Sequence, residues 1–190
     1  MYKVIALMGE AGTGKDTLMQ KILKENPGKF NEIISCTTRP MREGEVHGVN
    51  YYYLTPGEFI DRLSKNEMFE MAEFNGWYYG MSVDALKEDI INIGVLNPEG
   101  IRSLLVHPDV DVMAVFRIVC RKKTRLLRQL NREENPNVDE IIRRYSADEK
   151  DFSNLQFKYF EVKNEDAEDL GLAVDAIMVQ TQRTSDQGQE

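Results

Sequence analysis

The stretch MGEAGTGKDTL, Met8 to Leu18, follows a short apolar run from Val4 and leads into a helical pattern. Within it, Gly9 to Lys15 fits G-x-x-x-x-G-K. Glycines let the backbone turn tightly, so that its N–H groups face one point as an anion nest. The helix starting at Lys15 aims the positive end of its dipole at the same point. Strand, glycine loop, lysine and helix in this order predict a phosphate-binding loop. Gly9, Glu10, Ala11, Gly12, Thr13 and Gly14 would wrap nucleotide phosphates, and Lys15 would reach the β- and γ-phosphates. Asp16 stands where such loops usually carry the Ser or Thr that touches Mg2+. Three roles stay open for it. Asp16 approaches the metal, directly or through water; Thr17 serves instead; or Asp16 only favours the helix N-terminus electrostatically.

Working outward, apolar periodicity and breakers predict alternating strands and helices. Strands are expected at Lys3–Met8, Asn31–Cys36, Tyr51–Leu54, Met68–Phe74, Ile93–Leu96, Val112–Val119 and Phe157–Val162. Helices are expected at Lys15–Glu25, Pro56–Lys65, Val83–Ile91, Pro98–Val106, Arg121–Arg132, Val138–Phe152 and Ala167–Val179. The segment Thr37–Asn50 reads as a polar loop, and the chain from Gln180 as a frayed tail. This alternation predicts an α/β fold with a mainly parallel sheet, carrying a small insertion around Tyr51–Tyr79.

With 190 residues, 42% of them hydrophobic, the chain can bury the core of one domain. Its net charge of −8 argues against nonspecific binding to nucleic acid or anionic membranes, while leaving room for a local basic pocket. Cys36 and Cys120 are far apart and lack metal-ligand spacing, so both are expected as reduced thiols. No signal-like or membrane-length apolar run is present in the sequence. The expected location is the cytoplasm.

A glycine loop alone leaves GTPases, ATPases and small-molecule kinases open. The next segment is more specific. Ser35-Cys36-Thr37-Thr38-Arg39-Pro40-Met41-Arg42-Glu43-Gly44-Glu45, followed by Gly48-Val49-Asn50-Tyr51, closely resembles the guanylate kinase family pattern S-x-T-T-R-x-x-R-x-G-E then G-x-x-Y. The likeness continues through Phe69-Glu70 and the run FNGWYYG, Phe74 to Gly80. Glu99-Gly100, Arg143-Arg144 and Lys163-Asn164-Glu165-Asp166 carry it further, more weakly.

The resemblance implies a P-loop NTPase fold with a parallel sheet core. A monophosphate-binding insertion would lie at about 37–82, a helical lid at about 121–144 and a polar tail at 181–190. It implies ATP and Mg2+ as cofactors and transfer of a phosphoryl group to GMP, dGMP or both. Such transfer needs positioning and charge neutralisation more than covalent help. Arg39 and Arg42 can form a charge-assisted fork on the acceptor phosphate. Ser35, Tyr51 and Tyr79 match the family's hydroxyl donors. Glu70 matches the residue that accepts from guanine N1–H and the 2-amino group, as an acceptor-only carboxylate suits. Arg132 and Arg144, with Arg128 and Arg143 in reserve, match lid arginines that stabilise the transferring phosphoryl group. Asn164 matches an adenine-contacting residue.

Two departures stand out. Met81 replaces a hydroxyl after Tyr79-Gly80, with Ser82 next in line as a donor. Val95-Leu96-Asn97 replaces an Asp-x-Asp, leaving Asn97 as a neutral substitute; Asp16 could compensate electrostatically for the absent acid at Val95. These changes bear on base choice and metal ligation. A kinase for other deoxynucleoside monophosphates is therefore an alternative, since G-K-D-T also resembles phage-type deoxynucleotide kinases. A non-catalytic guanylate-kinase-like binding module is a further one, disfavoured by the intact Gly9, Gly14 and Lys15. A GTPase is disfavoured because N-K-x-D is absent from the sequence.

Overall fold

The computed structural model describes residues 1–41, 44–74, 76–132 and 134–187. Its central strand is β1 (Tyr2–Met8). Ile5 and Leu7 point to one face of the sheet, and Val4, Ala6 and Met8 to the other. All five are fully buried, because both faces are covered, as a parallel sheet requires. The first face packs on α1 (Lys15–Glu25) and the long last helix α6 (Ala167–Gln187). The second packs on α3 (Pro98–Leu105).

The core sheet runs β2 (Phe30–Glu32), β7 (Ile91–Val95), β1, β8 (Val110–Val119), β9 (Phe160–Lys163), all parallel. The chain leaves β1 toward β2 and β7 on one side and later builds β8 and β9 on the other. The carboxyl end of β1 is thus a topological switch point, where open α/β sheets bind ligands. A second sheet runs β4 (Tyr52–Tyr53), β3 (Cys36–Thr37), β6 (Trp77–Ser82), β5 (Met68–Phe74). The α2 helix (Pro56–Ser64) starts with a capping box from Thr55 and Glu58. Between β8 and β9 lie α4 (Lys122–Leu130) and α5 (Val138–Asp151).

Three expectations change. The single strand at Asn31–Cys36 is two, because the chain crosses from the core sheet to the second sheet between Glu32 and Cys36. The helix expected at Val83–Ile91 is one short 3-10 turn, Val83–Ala85, followed by a loop. The fully buried Asn92 supplies that loop's hydrogen bonds from its side chain. Its Oδ1 accepts from Lys87 N–H, and its Nδ2 donates to the carbonyls of Lys3, Lys87 and Ile90. Asn31 adds bonds to Ala85 O and Asn92 Oδ1. The frayed tail instead continues α6 to Gln187. Thr181 is still buried there, its hydroxyl bonded back to Ile177 O.

Asn92 therefore carries more than a side chain's usual share of the fold. Asn92→Leu should lower unfolding free energy by roughly 3–5 kcal/mol, because several buried polar groups lose their partners together. Urea unfolding, compared with the exposed control Lys87→Ala, measures it; a loss under about 1 kcal/mol would contradict this account.

Candidate active site

The loop between β1 and α1 forms the first half of the candidate site. Gly12 and Gly14 have φ of +83° and +84°, in the left-handed region that favours glycine. Gly12 has a second constraint, since a Cβ there would lie 2.5 Å from the Arg125 carbonyl oxygen. Thr13 is buried, and its hydroxyl donates to Glu10 O at 2.9 Å. Gly14 caps α1 with no side-chain partner. The N–H groups of the first helical turn have no intrahelical acceptors and sit at the positive end of the dipole. This backbone is a cradle of the kind that holds phosphate. Lys15 opens the helix, its Nζ 3.6 Å from the exposed Asp16 carboxylate. Thr17 is exposed one position further on.

The outer side of the loop is gripped by α4. Arg128 donates to the carbonyls of Gly12 (3.3 Å), Thr13 (3.2 Å), Asn164 (3.0 Å) and Glu165 (3.1 Å). Arg125 Nε donates to Ala11 O at 3.0 Å. Asn164 is buried, and its Nδ2 donates to Thr13 O at 2.9 Å. Arg128, a reserve phosphate ligand in the sequence reading, thus faces loop carbonyls. Arg125 carried no signal of its own within the basic run. In retrospect, Arg125, Arg128 and Gln129 share one helical face by their i, i+3, i+4 spacing. Arg132 is exposed beyond the end of α4. Arg143 and Arg144 both bond Glu140 on their own helix, at 2.7 and 2.9 Å through Nε.

Glu165 ties β9 to the start of α4, whose N-cap Arg121 has no side-chain cap of its own. Its carboxylate accepts from the Thr124 hydroxyl, from Arg121 N–H at 2.8 Å and from Arg121 Nε at 2.8 Å. These bonds, Thr124 first, hold its carboxyl down at about 2.

The other half of the candidate site lies on the second sheet. Arg39 is buried, with Nη1 on Pro40 O at 2.7 Å and Nη2 on Glu45 Oε1 at 2.9 Å. The rings of Tyr51 and Tyr53 each lie 5.6 Å from its guanidinium. Tyr79 packs edge-on to Tyr51 at 6.1 Å. Burial, then the negative charge of Asp16 and the neighbouring Tyr79, push the Tyr51 phenol up to about 12. It is a hydrogen-bond donor at neutral pH, and it feels Asp16 at the start of α1. Ser35 holds Tyr52 N–H through its carbonyl at 2.9 Å and is half-buried beside these groups in sequence.

The other expected residues fall as follows. Arg42 lies outside the described residues. Glu70 is on β5 with its backbone in register with Met81 of β6, while its side chain lies outside what the structure describes. Met81 is fully buried among core residues that include Ile33 and Leu86. Ser82 does not replace the missing hydroxyl. Strand alternation turns it to the face opposite Tyr79 and Met81, and its Oγ accepts from Arg62 Nη1 at 2.9 Å. Asn97 caps α3, its Oδ1 accepting from Gly100 N–H at 2.7 Å. No group of three or more His, Cys, Asp or Glu suited to a metal exists among the described residues.

A parallel α/β sheet with a glycine cradle and lysine at the end of its central strand has the architecture of the P-loop NTPase fold. Comparison with known proteins is narrower. The sequence model of the guanylate kinase family matches residues 1–181, and the chain belongs to that family. It is 30% identical over 168 residues to the guanylate kinase of Chlamydia muridarum, covering 86% of this chain and 80% of that one. It is 42% identical over 87 residues to the guanylate kinase of Bacillus subtilis, covering 46% of this chain and 43% of that protein's length. Among solved structures, guanylate kinase from Anaplasma phagocytophilum shares the fold, with a TM-score of 0.67 at 21% identity, covering 93% of this chain and 83% of that one.

The Glu165 link makes a pH-dependent prediction. A carboxyl depressed in the folded state stabilises the fold above its unfolded value, near 4.5, and loses that contribution as pH falls toward about 2. Glu165→Gln should therefore be less stable than the parent at pH 7, with the two curves converging between about pH 4.5 and 2. Thermal unfolding across that range tests this; a gap that stays constant with pH would contradict it.

Proposed function

We propose that the chain is an ATP-dependent nucleoside monophosphate kinase that converts GMP, dGMP or both to the diphosphate, releasing ADP. The observation that carries this reading is the closeness of two groups suited to phosphate, since the charge of Asp16 at the glycine cradle is felt by Tyr51 beside Arg39. The cradle carries Lys15 at the start of α1, and Arg39 is buried with the rings of Tyr51 and Tyr53 beside it. GTP hydrolysis would need no such second anion site.

In this reading the cradle and Lys15 hold the donor triphosphate. Mg2+ would travel with ATP and neutralise charge on its β and γ oxygens. Asp16 and Thr17 are the exposed residues at the helix start that suit it, the first by charge and the second by its hydroxyl. Arg39 and Arg42 anchor the acceptor phosphate, with neutral donors from Ser35, Tyr51 and Tyr79. Glu70 accepts from the guanine edge, and Asn97 keeps its amide N–H groups for the acceptor side. The insertion at about 37–82 and the lid at about 121–144 close over both nucleotides and exclude water. Arg132 and Arg144 then stabilise the transferring phosphoryl group. Asn164 lies under the loop and reaches the adenine only through atoms other than its Nδ2. The cytoplasm is the proposed location; no helix among the described residues is long and apolar enough to cross a membrane.

Met81 favours a second reading, a kinase for other deoxynucleoside monophosphates. It presents a buried thioether beside the Glu70 backbone, and Ser82 is turned away. ADP release measured with the common ribo- and deoxyribonucleoside monophosphates separates the readings. Guanine nucleotides should be preferred; activity with pyrimidine nucleotides at a similar level selects the second reading, and no activity with any of them defeats both.

Lys15→Ala should reduce turnover by about 10²-fold or more, with thermal stability nearly unchanged, the scale for a transition-state charge contact. Glu70→Gln sets a donor against the donors of guanine and should weaken guanine selection by about 2–4 kcal/mol. The ratio of kcat/KM for dGMP over dAMP reads this directly, and an unchanged ratio removes Glu70 from the base pocket.

A further inference from the structure

Asp148 of α5 and Arg125 of α4 meet at a single residue of the phosphate loop. Asp148 Oδ2 accepts the Ala11 N–H at 2.8 Å, and Arg125 Nε donates to the Ala11 carbonyl at 3.0 Å. The two side chains close the circuit through Arg125 Nη2 and Asp148 Oδ2, at 2.8 Å. Both backbone polar atoms of Ala11 are thus taken by one ion pair, much as an adjacent β-strand would take them. The Arg125 side chain is 5% exposed, and its guanidinium lies 4.5 Å from the Tyr145 ring centroid. The next loop residue back, Glu10, is held at 2.9 Å by Arg117 and lies 3.8 Å from Arg125. Charges alternate along Arg117, Glu10, Arg125 and Asp148, so two consecutive loop residues are fixed from behind. Burial raises the Asp148 carboxyl, while the Ala11 N–H, Arg125 and then Lys15 work against that rise; Lys15 is close enough to be felt.

We infer that the Arg125–Asp148 pair is a positioning device for the donor site, clasping the phosphate loop so that its inner N–H groups meet the triphosphate preordered. The inference rests on the donor-site reading above, but not on which monophosphate is the acceptor. Neither residue touches the phosphates in this account; both act through Ala11. Because they belong to α4 and α5, the clasp also links loop shape to the helix that carries Arg144 and to the helix that Arg132 follows.

Two variants of the full chain test it. Asp148→Ala removes the acceptor, whereas Asp148→Asn keeps one oxygen that can accept from both Ala11 N–H and Arg125. ATP and ADP affinity are measured by calorimetry, GMP affinity separately, and amide exchange is followed in a peptide spanning the loop. Asp148→Ala should weaken ATP on the order of tenfold, leave GMP affinity unchanged and speed exchange in the loop, while Asp148→Asn should recover most of both effects. A side chain with only a general structural role would shift both nucleotides together, and that result overturns the inference. So does equal or tighter ATP binding by Asp148→Ala, which would mean that the carboxylate competes with phosphate for the Ala11 N–H. ATP binding by the parent without turnover on any monophosphate would defeat the kinase reading and leave this comparison readable.

Discussion

The shape of the phosphate loop rests on how closely α4 approaches Gly12. A Cβ there would lie 2.5 Å from a backbone oxygen of Arg125, so only glycine admits the helix at this distance. That approach brings Arg125 and Arg128 within reach of the loop's carbonyls. Ordering one backbone residue costs about 1–2 kcal/mol, and glycine loses more freedom than any other residue. A hydrogen bond from a charged donor contributes about 1.5–3 kcal/mol. One guanidinium bond per loop residue is therefore the scale needed to hold a glycine-rich loop in a single shape, and α4 supplies bonds to three consecutive carbonyls, those of Ala11, Gly12 and Thr13.

The Arg39 group solves a different problem. Arg39 is buried, and a buried guanidinium needs a partner to stay there. Glu45 supplies it, and is itself tied to the Tyr53 hydroxyl at 2.8 Å. A buried pair of this kind adds little net stability over apolar packing, but losing one partner is costly. Its value lies in holding a charged, oriented donor beside Tyr51 and Tyr79 on a short strand pair with little core of its own.

The sequence made β1, the cradle and α1 legible because every signal there is local: an apolar run, glycines and a lysine opening a helix. Signals fail where the partner is distant in the chain. Asn92 suppresses the helix expected at Val83–Ile91 through bonds that reach back to Lys3. Thr181 extends α6 because one face still meets the core. The family resemblance turns arginines of the basic run toward phosphate, whereas the inner face of α4 meets backbone carbonyls. Ser82 looked like a substitute for a hydroxyl one residue earlier, but a shift of one position on a strand changes the face. Asp148 sits within a run of charged residues on α5, and nothing in its spacing marks its contact with a loop 137 residues away.

Energetic cost separates the arginines that can turn to phosphate from those that cannot. A guanidinium has five N–H donors in one plane, and Arg128 already directs them at four carbonyls. Arg125 is buried between Ala11 and Asp148, so moving it would take the ion-pair partner from the Asp148 carboxylate and a donor from the Ala11 carbonyl, a loss of several kcal/mol. Arg144 is held differently, by a partly exposed i,i+4 pair with Glu140. Such pairs contribute only about 0.3–0.5 kcal/mol. A triphosphate that offers two or more charge-assisted bonds outweighs that easily. Helix α5 therefore carries Asp148, which fixes the loop, and, one turn earlier, Arg144, whose release from Glu140 costs little.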